Sequence, residues 1–167
     1  MNAAGKDESH QVFLGLGSNI RPEENLPRAV AMLRKAVQLE ALSRIWETPP
    51  VGSPGPDFLN AAARVKTWLS MDELQAGVLR PIEERLGRVR TDNPNAPRTI
   101  DLDILVYDGI TIDEGLWEQA HVCIPLSELL PDYTHPLRGE TLSAIARRFS
   151  QTTPLRIRED LSLPDRK

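Results

Sequence analysis

The sequence predicts an α+β fold, an antiparallel or mixed sheet with its helices packed on one face. Three observations lead there. Segments that alternate apolar and polar residues and segments with an apolar residue every three or four positions follow one another in the order βαββαβ, that of a ferredoxin-like plait. No internal repeat breaks this order. The 167 residues suit a single domain, 1–167, that buries a sizeable core without staples, and with Cys123 as the one cysteine there is neither an internal disulfide nor a multi-thiolate zinc site.

Gln11 to Leu16 reads as the first strand, with Gly15-Leu16-Gly17-Ser18-Asn19 turning the chain at its end. Pro22 opens a helix whose Leu26, Ala29, Val30, Leu33 and Val37 form one apolar stripe, with Arg28, Arg34 and Lys35 outside it. Leu42 to Thr48 makes a second strand. The run from Thr48 to Asp57 holds too many prolines for helix or sheet and reads as a stiffened loop. Period-two alternation from Phe58 to Thr67 gives a third strand. Ser70-Met71-Asp72-Glu73 is a capping box, and the helix behind it buries Leu74, Val78, Ile82 and Leu86. Pro81 inside that helix predicts a kink, because it has no amide hydrogen and presses on the carbonyl of Gly77.

The fourth strand holds Arg98 to Tyr107, and Asp108-Gly109 then turns the chain into a short hairpin through Ile110 to Ile112. Pro125 to Pro131 reads as one helical turn, and Leu142, Ile145, Ala146 and Phe149 mark a last helix. The core is expected within about residues 11–149, with 150–167 as a frayed tail.

Composition narrows the function classes. No stretch approaches the roughly 20 apolar residues of a membrane span, and the first residues have no apolar signal core, so a soluble cytoplasmic protein without a membrane partner is expected. A net charge of −4 argues against a nucleic-acid partner. That charge is reversed locally, where Arg80, Arg85, Arg88, Arg90 and Arg98 outnumber Glu83, Glu84 and Asp92.

Directly after this basic stretch come Asp101 and Asp103. Residues two apart on a strand share a face, so the two carboxylates project side by side while Ile100, Leu102, Ile104 and Val106 fill the other face. Adjacent carboxylates repel each other, and a hard divalent ion that bridges substrate phosphates relieves the repulsion. Guanidinium groups next to them suit phosphate oxygens. The chemistry indicated is phosphoryl or nucleotidyl transfer. An isolated Asp-x-Asp strand is more often a solvated sheet face than a metal site, so the surrounding motifs carry the decision.

Those motifs are Gly15-Leu16-Gly17-Ser18-Asn19, Glu47-Thr48-Pro49-Pro50-Val51-Gly52, Phe58-Leu59-Asn60, Gly87-Arg88-Val89-Arg90 and Pro97-Arg98-Thr99-Ile100-Asp101-Leu102-Asp103. In this order and spacing, across about residues 12–149, the chain resembles the 6-hydroxymethyl-7,8-dihydropterin pyrophosphokinases of folate biosynthesis. The resemblance implies transfer of pyrophosphate from ATP to the hydroxymethyl group of a reduced pterin, giving AMP, with two Mg²⁺ ions. It implies that Asp101 and Asp103 hold the metals, that Arg88, Arg90 and Arg98 meet the nucleotide phosphates, and that Glu83 belongs to the nucleotide site. For the pterin it implies Thr48, Pro50 and Val51 at the ring edge, Asn60 as amide donor and acceptor, Phe58 stacked on one ring face and His121 on the other. It singles out no side chain as general base.

The chain departs from the family pattern in three places. His121 stands where an aromatic is usual, Gln119 stands where an arginine is frequent, and Asp113-Glu114-Gly115-Leu116-Trp117-Glu118 replaces a Pro-His segment. The loop Thr91-Asp92-Asn93-Pro94-Asn95-Ala96 also lacks tryptophan and lysine. The alternative reading is a non-catalytic pterin-binding protein of the same fold, which the absent Pro-His segment and Gln119 favour. A metal-dependent transferase of nucleotide sugars shares Asp-x-Asp but gives no account of the Thr48 and Asn60 motifs.

Overall fold

A computed structural model describes residues 8–50, 55–93 and 96–163. Strand β1 (His10–Ser18) occupies the middle of the sheet because it is apolar on both sides, with Val12, Leu14 and Leu16 in one core and Phe13 in the other. It pairs antiparallel with β4 (Phe58–Thr67) and with β5 (Asp101–Tyr107). Asp108 and Gly109, at φ 49° and 81°, form a two-residue turn that folds β6 (Ile110–Thr111) back onto β5. The other edge of β4 takes β2 (Gln38–Leu42) and then β3 (Trp46–Thr48), and β3 pairs in turn with β7 (Arg156–Ile157). The sheet order is β6-β5-β1-β4-β3-β7, with β2 beside β4 and every pairing antiparallel.

Helices cover both faces, a correction to the one-face expectation. Helix α1 (Pro22–Ala36) packs with α2 (Met71–Leu74) and α3 (Arg80–Arg85) over Val12, Leu14, Leu102 and Ile104. On the opposite face α4 (Gly115–Glu118), α5 (Ala120–Leu129) and α6 (Leu142–Thr152) cover Phe13, Ala62, Leu105 and Val106. The cause is readable in β4, where Leu59 to Ala63 are all buried, a run that needs cover on two sides.

Several boundaries also differ from expectation. β1 continues through Gly17 and Ser18 instead of turning there. The expected strand from Leu42 to Thr48 is split at Ser43, whose hydroxyl accepts the Ala62 amide at 2.8 Å while its own amide donates to the Ala62 carbonyl at 2.9 Å. The side chain has taken a ladder position, and β2 and β3 form on either side of it. Pro81 is accommodated by a π-helical turn, Gln75–Leu79, in which the Arg80 amide donates to the Gln75 carbonyl. Leu105 is an extra residue in β5, since Phe13 faces Val106 while Leu14 faces Ile104. This bulge moves Val106 into the α5–α6 core, away from Leu102 and Ile104. Helix α5 starts at Ala120, before the single turn expected from Pro125, so His121 is helical.

Residues 150–163 are docked and do not fray. α6 runs to Thr152, β7 joins the sheet, and Leu163 is 3% exposed in the α1 core. No helix among the described residues is long and apolar enough to cross a membrane.

Candidate active site

Two glycines in β1 set the shape of the site. The ladders place Gly17 between Asn60 of β4 and Asp101 of β5, and Gly15 between Ala62 and Asp103. Residues opposite one another in antiparallel strands share a face, so the Asp strand and the Asn60 strand look at each other across a strip without side chains. The space is already taken up closely. A Cβ on Gly17 would stand 3.1 Å from Asn60 Oδ1, and one on Gly15 would stand 3.3 Å from Leu105 Cδ1. Above this strip lies a cleft of about 210 Å³, walled by Thr48, Phe58 and Asn60 at one end, by Arg98, Asp101 and Asp103 at the other, and by Asp113, Gln119 and His121 from the α4–α5 side.

At the first end Asn60 and Thr48 are both buried, and Asn60 Nδ2 donates to Thr48 Oγ1 at 2.8 Å. That bond fixes the amide orientation. Phe58 lies on the same face, two residues along the strand, with the Arg98 guanidinium 6.0 Å from its ring centre. Of the proline loop, Pro49 lines the cleft and Pro50, half-buried, is not part of its wall; Val51 lies outside the described residues. His121 enters from the first turn of α5. Burial lowers its pKa, with Arg98 adding to that and the nearby Asp101 and Asp113 opposing it, so the uncharged ring is favoured.

The second end is organised by Glu83, a helix residue only 2% exposed. Its carboxylate accepts from the Leu102 amide at 3.0 Å, from Arg90 at 2.8 Å and from Arg88. Arg88 also donates to Asp101 Oδ1, and Arg98 to Asp101 Oδ2, each at 2.7 Å. Glu83 thus stands behind the arginines and does not reach the cleft. Asp101 is bracketed by two guanidinium groups. Asp103 has no such pair. It opens to solvent through the cleft mouth yet sits deep enough that desolvation, followed by repulsion from Asp101, Asp113 and Glu83, raises its carboxyl to about 7.

A side chain that is costly to ionise beside another carboxylate is one that a cation would suit. Hard oxygen donors fit Mg²⁺, which keeps several waters and takes substrate phosphate oxygens as further ligands. Among the described residues no group of three or more His, Cys, Asp and Glu side chains could hold a metal, and a pair of carboxylates leaves coordination positions for phosphate oxygens and water.

The structure therefore brings Thr48, Phe58, Asn60, Arg98, Asp101, Asp103 and His121 onto one cleft, with Arg88 touching Asp101 from behind. Arg90 is turned toward Glu83 and is half-exposed. Sequence reasoning did not single out the Gly15–Gly17 strip, Asp113 or Asn19 as site residues. Asn19 Oδ1 accepts the Arg98 amide at 2.7 Å and its own amide donates to the Arg98 carbonyl at 3.1 Å, which sets the start of the Asp strand. The Gly-Leu-Gly-Ser-Asn spelling was a usable pointer to two of these features, whereas Asp113 carries no local pattern.

Comparison with known proteins identifies the family. The family model described as 7,8-dihydro-6-hydroxymethylpterin-pyrophosphokinase matches residues 13–131. A 2-amino-4-hydroxy-6-hydroxymethyldihydropteridine pyrophosphokinase of Synechocystis is 32% identical over 146 residues, covering 81% of this chain and 74% of that relative. Its namesake from Methylorubrum extorquens is 39% identical over 79% of this chain and 89% of its own length. Among solved structures, a triple mutant of Plasmodium falciparum HPPK-DHPS superimposes with a TM-score of 0.69 at 13% identity, which speaks for the fold alone. This chain covers 46% of that longer protein. On the extent of the family match and the identity of these relatives, the chain belongs to the 7,8-dihydro-6-hydroxymethylpterin pyrophosphokinase family.

Proposed function

We propose that the cleft transfers pyrophosphate from ATP to the hydroxymethyl group of 6-hydroxymethyl-7,8-dihydropterin, with release of AMP, as a step of folate biosynthesis. The observation that carries this reading is the polarity of the cleft. A hydrogen-bonding end with a phenyl ring, an end of carboxylates with the Arg98 guanidinium, and an imidazole from the α5 side share one cavity.

Asn60, held by Thr48, presents its remaining amide capacity to the ring edge, and Phe58 and His121 take the two ring faces. The backbone after Thr48, Pro50 included, closes that edge at little entropic cost because its prolines are already restricted. Asp101 and Asp103 would hold Mg²⁺, two ions by the family resemblance, which would supply positive charge to the attacking hydroxymethyl oxygen and to the leaving phosphate oxygen of an in-line displacement at the β-phosphorus. Arg88, Arg90 and Arg98 offset the phosphate charge that remains. Arg88 and Arg98 both donate to Asp101, so phosphate oxygens bound to these guanidinium groups would draw them from Asp101 and leave its carboxylate able to hold an ion. Glu83 keeps Arg88 and Arg90 aimed throughout, which makes it a positioning residue for the nucleotide.

The order β5-β1-β4-β3 in an antiparallel sheet supports a ferredoxin-like plait, with α5 and α6 added on its second face, and residues 10–163 as one domain. A free buried Cys123 and an ATP-dependent reaction suit the cytoplasm. The partners are small molecules. Calorimetric titration of a non-hydrolysable ATP analogue, with and without Mg²⁺, followed by the pterin, tests this assignment of the two ends. Mg²⁺-dependent nucleotide binding and pterin binding in one cleft are expected. Pterin binding by a protein that takes no nucleotide would contradict it.

A further inference from the structure

Strand β3 is only three residues long, yet it carries Thr48 into the cleft wall. So short a strand keeps no register by itself. Thr48 faces Phe58 in the ladder and receives the Asn60 hydrogen bond, so any drift of β3 moves the groups at the hydrogen-bonding end together. On the cleft side β3 is held by Trp46, whose Nε1 donates to Glu128 of α5 at 2.7 Å. Alternation sends Glu47 to the other side of the sheet.

There a segment beyond the residues matched by the family model takes hold of it. β7 pairs with the outer edge of β3, Trp46 opposite Ile157 and Glu47 opposite Arg156, and the Arg158 amide extends the contact to the Ile45 carbonyl at 2.9 Å. The Arg158 guanidinium donates to Glu47 at 2.7 Å and to both oxygens of Asp160 at 2.9 and 2.8 Å, with Glu23 of α1 at 3.7 Å. One side chain thereby links α1, β3 and the segment after β7. Arg158 and Glu47 are each 19% exposed, whereas Arg156, the second partner of Glu47, is 71% exposed and screened by solvent. Leu161 and Leu163 anchor the far end of the segment in the α1 core.

We propose that residues 156–163 are a strap for the acceptor side of the cleft, in which Arg158 is a positioning residue that locks Glu47 and so fixes Thr48 and Asn60 in the register the pterin requires. The inference rests on Thr48 and Asn60 forming the pterin wall. Its test is steady-state kinetics and pterin titration of Arg158→Gln, Arg158→Lys, Arg156→Gln and Asn60→Ala, with the Tm of each. Arg158→Gln is expected to raise the pterin KM and Kd by about three- to tenfold, the range of a coupling within one hydrogen-bonded network, while kcat and the ATP KM stay within about twofold. Arg158→Lys should recover part of the affinity, and Arg156→Gln should behave as the parent. If Arg158→Gln fails to fold, Glu47→Gln, which keeps the side-chain shape, carries the same expectation. An unchanged pterin KM alongside a lowered Tm, in a series where Asn60→Ala does lose pterin, overturns the strap. Unchanged pterin affinity in Asn60→Ala itself overturns the pterin wall on which the strap depends.

Discussion

Gly17 and Asn60 face each other across the β1–β4 ladder so closely that a Cβ on Gly17 would stand 3.1 Å from Asn60 Oδ1. Real Cβ atoms seldom approach a neighbour that closely, so the amide would have to turn or retreat. Gly17→Ala is therefore expected to weaken pterin binding by about tenfold, roughly 1.4 kcal/mol, with the strand intact because an extended backbone accepts alanine. Titration of the pterin into the variant, with Tm as the control for folding, measures this. Parent affinity would show that the Asn60 amide does not need its present orientation.

Glu83 holds two arginines and the Leu102 amide from a buried position. Glu83→Ala leaves Arg88 without one partner and the Leu102 amide without an acceptor, a loss of about 3 kcal/mol for a broken buried pair. Chemical denaturation measures that loss. Glu83→Gln keeps an acceptor but not the charge, and it should weaken nucleotide binding more than pterin binding, because Arg88 and Arg90 lose their anchor.

Asp103 gives a pH dependence whose sign can be worked out. Its carboxyl is raised to about 7 by burial and by Asp101, Asp113 and Glu83, in that order. A carboxyl raised on folding costs nothing below its unfolded value, and the cost grows as pH rises toward the folded value, where it becomes complete. Asp103→Asn removes that cost. In metal-free protein its Tm gain should be larger at pH 8 than at pH 5, and an equal gain at both would show that Asp103 is not held against its neighbours. Added Mg²⁺ should shrink the difference.

Burial lowers the pKa of His121, which favours its uncharged form. Pterin affinity should then be flat between about pH 7 and pH 8 as far as His121 is concerned. His121→Phe should retain or improve affinity, and His121→Ala should reduce it by about three- to tenfold, the value of a stacking partner. Pterin Kd at two pH values for the three proteins decides this.

How much of this was legible in the sequence varies by element. α1 and β4 were readable from their periodicity and their starts at Pro22 and Phe58, whereas the Asp strand was placed correctly but begins at Asp101 and not at Arg98, and its period breaks at Leu105. The Asp108-Gly109 hairpin was readable because both residues accept positive φ. Helices on the second face were not foreseen, since the expectation weighed element order and not the two-sided burial of Leu59 to Ala63. The docking of β7 escaped notice because a two-residue strand has no period, and its hold on β3 comes from ion pairs between residues more than a hundred positions apart. In the site, the metal and pterin positions came from motif resemblance, and the fold brings most of them together. Asp113 was missed for a plain reason: a loop aspartate becomes part of a cleft only through the path of the chain around it.

The account stands or falls on whether this cleft moves pyrophosphate. The most direct measurement is AMP release from ATP and Mg²⁺ with 6-hydroxymethyl-7,8-dihydropterin as acceptor, with Asp101→Ala and Asp103→Ala in parallel and their folding checked by Tm. The account predicts AMP that depends on the pterin and falls by at least about a hundredfold in folded variants. Near-parent rates in either variant, or no AMP from a parent protein that binds the pterin, would contradict it.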